Sequence, residues 1–122
     1  MSDLKPKGKK ITLGGKEYGL RFTLNAIDDI QDHFDIPIED LGKLFKDSKT
    51  RIRNLRYLLT VLINEDIDCV NDENDEKISH VEERFVGRQI DANNMQSMMT
   101  AIMNSFTAGT PESEESPNAQ SE

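Results

Sequence analysis

The stretch Arg51 to Asn64, RIRNLRYLLTVLIN, constrains this chain more than any other. Ile52, Leu55, Leu58, Leu59, Leu62 and Ile63 recur every three or four residues, which on a helix makes one apolar stripe. Tyr57 and Val61 widen that stripe until the second half is apolar around much of its circumference. Such a helix belongs inside a domain, with neighbours on more than one side, although the same stripe could also serve as a partner-binding surface.

The rest of the chain must cover that helix. Its 122 residues leave room for one domain and two tails. On either side the hydropathy pattern divides into short elements. Residues 1–8 read as a flexible basic arm, with Pro6 and Gly8 set among lysines. Lys10 to Leu13 and Lys16 to Phe22 alternate around Gly14-Gly15, the signature of a β-hairpin whose turn needs positive φ at both central residues. Its apolar face would be Ile11, Leu13, Tyr18, Leu20 and Phe22, and a lone hairpin is marginal in water, so it must lie on the helices.

At Thr23 the period changes from two to 3.6. Thr23 is a candidate N-cap with Phe22 and Ile27 placed as a hydrophobic staple, and Leu24, Ile27, Ile30 and Phe34 form the expected buried stripe. Asp35-Ile-Pro37 ends this helix, because the residue before proline is pushed out of helical geometry. A shorter helix follows over Ile38 to Lys46, with Ile38, Leu41, Leu44 and Phe45 inward. After the central helix, Glu65 to Lys77 reads as an acidic connection too polar to pack. Ser79 and Glu82 have capping-box spacing for a short helix carrying Val81, Phe85 and Val86, and Gly87 suits a left-handed cap. A last helix is expected from about Ala92 to Ala108, with Asp91 or Asn93 as N-cap and Gly109 and Pro111 as stop signals. Residues 109–122 are acidic and rich in Ser and Pro, and read as a disordered tail. The expected fold is mainly α with an N-terminal β-hairpin and about five helices, in a single domain over 9–108.

Charge narrows the function classes. The formal net charge is −8, but residues 1–22 carry six Lys/Arg against Asp3 and Glu17, whereas 65–76 carry seven acids and no cation. Overall acidity argues against a dedicated nucleic-acid binder. No apolar run approaches the roughly 20 residues of a membrane span, and no apolar segment of secretory-signal type follows the N-terminal lysines. The single Cys69 fits a reducing cytoplasm and lacks a poised base. Catalytic motifs, cofactor fingerprints and metal-ligand spacings are not apparent, and a calcium-loop match starting at Asp72 fails because Lys77 stands where the turn needs glycine. A non-enzymatic chain without cofactor or metal is expected.

The unusual chemical feature is the last helix, whose expected stripe is Met95, Met98, Met99, Ile102, Met103 and Phe106. Methionine is unbranched and polarizable, so such a face can repack against apolar helices of differing shape. It can equally close the core by filling irregular gaps, and spacing alone leaves both open. Both hold if the helix docks reversibly.

The run ITLGGKEYGLRFTLNAIDDIQDHFDI resembles the opening of tail assembly chaperones of long-tailed bacteriophages: a strand, a Gly-Gly-Lys turn, a second strand, then a helix starting at a Thr-Leu pair. The order of elements is similar over roughly Lys9 to Ala108. The resemblance implies a host-cytoplasmic protein that keeps the long, helical, apolar tape-measure protein soluble, helps recruit tail-tube subunits and is absent from the finished virion. It also implies the possibility of self-association, since the client is much longer than the chaperone, and of a longer form made by frameshifting near residues 109–122. Two other readings stay open: a minor tail or connector protein retained in the virion, and a small regulatory protein using Lys5–Lys10 and the Lys49–Arg56 cluster on an acidic partner or nucleic acid.

Overall fold

The computed structural model describes residues 10–109; the arm 1–8 and all of the tail beyond Gly109 lie outside them. Two strands, β1 (Lys10–Leu13) and β2 (Lys16–Gly19), pair antiparallel with Ile11 opposite Tyr18 and Leu13 opposite Lys16. Gly14 and Gly15 have φ of 59° and 82°, the positive values a two-residue hairpin turn needs. Ile11 and Leu13 are buried while Lys10 and Thr12 face out, so the alternation in the sequence maps directly onto the two faces of β1.

Helix α1 spans Leu24–Phe34. The Thr23 hydroxyl accepts from the Ala26 N–H at 3.1 Å, satisfying one of the orphan donors of the first turn. Asp35 ends it in the left-handed region at φ 56°. The buried face is Ala26 and Ile30. Leu24, expected inward, is instead 83% exposed, while Ala26 in the same turn is fully buried. Ile38–Phe45 is a 3-10 helix rather than α, tied to α1 by the Ile38 N–H donating to Gln31 Oε1 at 2.8 Å. Leu41 is its buried residue, with Ile38, Leu44 and Phe45 packed at the core edge.

Helix α2 runs Arg51–Asn74, 24 residues or about 36 Å, and packs against β2, α1, the 3-10 helix, α3 (Glu83–Arg88) and α4 (Met95–Gly109). Leu55, Leu58, Leu59, Leu62 and Ile63 are all 0–1% exposed, as a central core helix requires. Ile52 is not part of that core: at 62% exposed it points away from it.

The largest correction concerns the acidic stretch. Residues 65–74 are the last ten residues of α2, not a connection. Ile67 continues the stripe one turn beyond Ile63 and is buried. Carboxylates near a helix C-terminus oppose its dipole, so they need partners. Arg21, arriving from β2, places Nε 3.0 Å from Asp66 and Nη1 3.8 Å from Glu73. The Thr23 hydroxyl donates to Glu65 at 2.6 Å, and His80 Nε2 lies 2.8 Å from Asp68. Arg21 and the acidic helix end, far apart in sequence, thus meet.

Residues 76–82 run back along α2, held by two asparagines two turns apart. Asn64 Oδ1 accepts from the Val81 N–H at 2.8 Å while its Nδ2 donates to the Val81 carbonyl at 3.0 Å. Asn71 clamps Ile78 in the same way, at 2.9 and 3.0 Å. Helix α3 starts only at Glu83, with Glu82 as a cap that makes no side-chain bond, so Ser79 and Glu82 do not form a capping box. Gly87 lies inside α3 and not in the left-handed region; a Cβ there would sit 2.9 Å from Arg56 Cδ, so its role is close packing on α2.

Asp91 Oδ1 accepts from the N–H groups of Asn93 and Asn94 at 2.9 and 3.2 Å, shaping the turn 92–94 from which α4 begins at Met95. Among the described residues, no helix is long and apolar enough to cross a membrane.

Candidate partner-binding cleft

Helix α4 packs against β1, α2 and the 3-10 helix, and this fixes the fate of each residue in its stripe. Ile102 is 0%, Met98 7% and Met99 9% exposed, so these three close the core. Met95, Met103 and Phe106 are half-buried at its edge. Phe106 packs its ring on Phe22, centroids 5.3 Å apart, which ties the far end of α4 to the approach to α1. The stripe is therefore not one open face. It is a core face with two surface margins: Met95 at one end, and Met103 with the edge of Met99 beside the 3-10 helix.

The second margin borders a cleft of about 430 Å³ lined by Gly42, Phe45, Arg51, Gln96, Met99, Thr100 and Met103. Its walls follow from local chemistry. Gly42 leaves room beside α4: a Cβ there would touch Met103 Cε at 3.8 Å. Arg51, at the start of α2, donates through Nε to the Phe45 carbonyl at 2.6 Å and through Nη2 to the Lys46 carbonyl at 3.4 Å. Those carbonyls are orphans of the 3-10 helix end, and the cation also suits its negative pole. Asn54 Nδ2 donates to the Leu44 carbonyl at 2.8 Å, completing the cap. The cleft is thus braced from α2, with an apolar floor of Phe45, Met99 and Met103 and a polar rim of Gln96, Thr100 and Arg51.

Sequence reasoning identified Met99 and Met103 and placed Phe45 inward. It missed Gly42, Gln96 and Thr100, and offered Arg51 only within the Lys49–Arg56 cluster. The bracing of the 3-10 helix by Arg51 carried no usable signal, because a cation in the first turn of a helix is unfavourable unless it answers another element. The arrangement offers shape and dispersion contacts. Adaptable methionines can follow an apolar helix laid across the cleft, while the rim donors fix its direction.

Two titratable groups away from the cleft, Cys69 and Tyr57, have raised pKa values. Cys69 is half-buried, and burial pushes its thiol pKa up; Arg21 opposes the shift, while Glu65, Glu73 and Asp66 add to it. His33 stacks on Tyr57 with centroids 3.8 Å apart, and burial, then Asp29, Glu83 and Asp32, raises the Tyr57 phenol pKa. Among the described residues, no group of three or more His, Cys, Asp or Glu is placed to hold a metal ion.

The chain matches no protein-family model, and neither a curated protein nor a solved structure matches it.

Proposed function

We propose that this protein is a tail assembly chaperone of a long-tailed bacteriophage. In this reading it works in the host cytoplasm, binds the apolar helical tape-measure protein, keeps it soluble, assists recruitment of tail-tube subunits, and is left out of the mature virion. The supporting observation is the braced cleft in which Met103, Phe45 and the edge of Met99 offer an adaptable apolar floor beside an otherwise closed core. The resemblance of Ile11 to Ile36 to the opening of that family supports it from the sequence side. A client helix laid across the cleft would seat side chains of one ridge, spaced three and four residues apart, between α4 and the 3-10 helix. The net charge of −8 on the coat would keep the complex dispersed.

Co-expression with the long apolar helical protein encoded in the same genome tests the proposal. The client becomes soluble and co-elutes with this chain if the reading holds. A client that stays insoluble or elutes alone overturns it, and detection of this chain in purified virions by mass spectrometry would favour a structural tail or connector component.

A further inference from the structure

A second surface, sharing no lining residue with the methionine cleft, lies where α3 crosses the first half of α2. Two adjoining hollows, about 260 and 180 Å³, share Ile52, Arg56 and Gly87; the first is completed by Arg84 and Arg88, the second by Ile90, Asp91, Ala92 and Met95. Because residue 87 is glycine, the Arg56 side chain lies against the α3 backbone, with Cδ 2.9 Å and Nη1 3.8 Å from where a Cβ would be. Its Nε is buried and has no hydrogen-bond partner among the described residues. A buried donor left in that state is costly and calls for a physical reason. Arg56, Arg84 and Arg88 form no ion pair with a carboxylate among the described residues, in a chain whose net charge is −8. The one acid on the rim, Asp91, already has Oδ1 engaged by the Asn93 and Asn94 N–H groups.

We infer that this arginine-rimmed hollow is a docking site for an acidic amphipathic helix of a partner protein, with an aliphatic side chain on Ile52 and flanking Asp or Glu on the guanidinium groups. Charge complementarity selects the carboxylates: guanidinium forks take them in pairs, and Arg keeps its charge at any physiological pH. The apolar floor selects a peptide over a bare anion. Ile52 is 62% exposed, and with Ile90, Ala92 and Met95 beside it only an apolar side chain removes that surface from water.

The test is an amide chemical-shift titration of the full-length chain with a blocked helical peptide in which two leucines one turn apart are flanked by glutamates. Shifts concentrated at Ile52, Gly87 and Ile90 are the expected result. The exposed pair Arg84→Glu with Arg88→Glu should weaken binding at least about tenfold, and Ile52→Ser should weaken it while amide dispersion shows the fold intact. The reading is overturned by shifts mapping elsewhere, by equal binding of the glutamine-for-glutamate peptide, or by inorganic phosphate giving the same shifts at the same affinity. Tighter binding of a short single-stranded DNA at physiological salt overturns it as well.

Discussion

Replacing Asn64 by alanine removes both hydrogen bonds that hold Val81 against α2, at 2.8 and 3.0 Å. Each is worth about 0.5–1.5 kcal/mol net, so the pair contributes about 1–3 kcal/mol. Alanine is the better helix former, by up to about 0.7 kcal/mol, which offsets part of the loss. Asn71→Ala is the internal control: it deletes the equivalent two bonds to Ile78, carries the same propensity gain, and lies where Ile78 is exposed and water can replace the bonds that are lost. The expected order is a fall in stability for Asn64→Ala, about 0.3–3 kcal/mol, and a change near zero for Asn71→Ala. Urea unfolding of both variants measures this through the midpoints at a common slope, and amide exchange at Val81 should quicken in the first variant. An Asn64→Ala midpoint no lower than that of Asn71→Ala would refute the idea that the 76–82 segment is held by a clamp at the core edge.

Three further outcomes follow from the same structure. Gly19→Ala would place a Cβ 2.5 Å from Asp66 Oδ2, displacing that carboxylate from Arg21; a loss of about 1–3 kcal/mol by urea melt is expected, and an unchanged midpoint contradicts the tight approach. Cys69, its thiol pKa raised above 9.0, should react with iodoacetamide at pH 8 more slowly than an unstructured cysteine peptide, and an equal rate contradicts the burial. Tyr57 has its pKa raised above 10.0 in the folded state, so its contribution is intact below that pH and is lost as the unfolded chain ionises first; stability should fall from about pH 10 upward, and less so in Tyr57→Phe. Identical alkaline slopes for the two chains would refute that assignment.

The hairpin, the Thr23 cap and the buried centre of α2 were legible because each rests on local chemistry: positive φ at two glycines, a hydroxyl at an N-cap, and a 3.6-residue period. The acidic end of α2 was misread because charge density outweighed a weaker signal. Ile63, Ile67 and Val70 keep helical spacing through it, and the cation that makes it tolerable is Arg21, 45 residues earlier than Asp66. Ile52 and Leu24 fit the periodic pattern but lie where no neighbour covers them, which a pattern within one helix does not encode. Gly87 was read as a cap because glycine at a helix end commonly is one; its contact with Arg56 is visible only once α2 and α3 are side by side. The candidate cleft was half legible. Methionine content marked the helix, while the division of its stripe into core and margin depends on where the 3-10 helix lands.

Met103→Asp, co-expressed with the apolar tape-measure-like client, tests the central functional claim most directly. Met103 is at the cleft edge, whereas Met99 at 9% exposure belongs to the core, so changing Met103 alone separates binding from folding. The account predicts a chain that still unfolds cooperatively in urea but no longer keeps the client soluble. A folded Met103→Asp chain that solubilises and co-elutes with the client as well as the unaltered protein would contradict it.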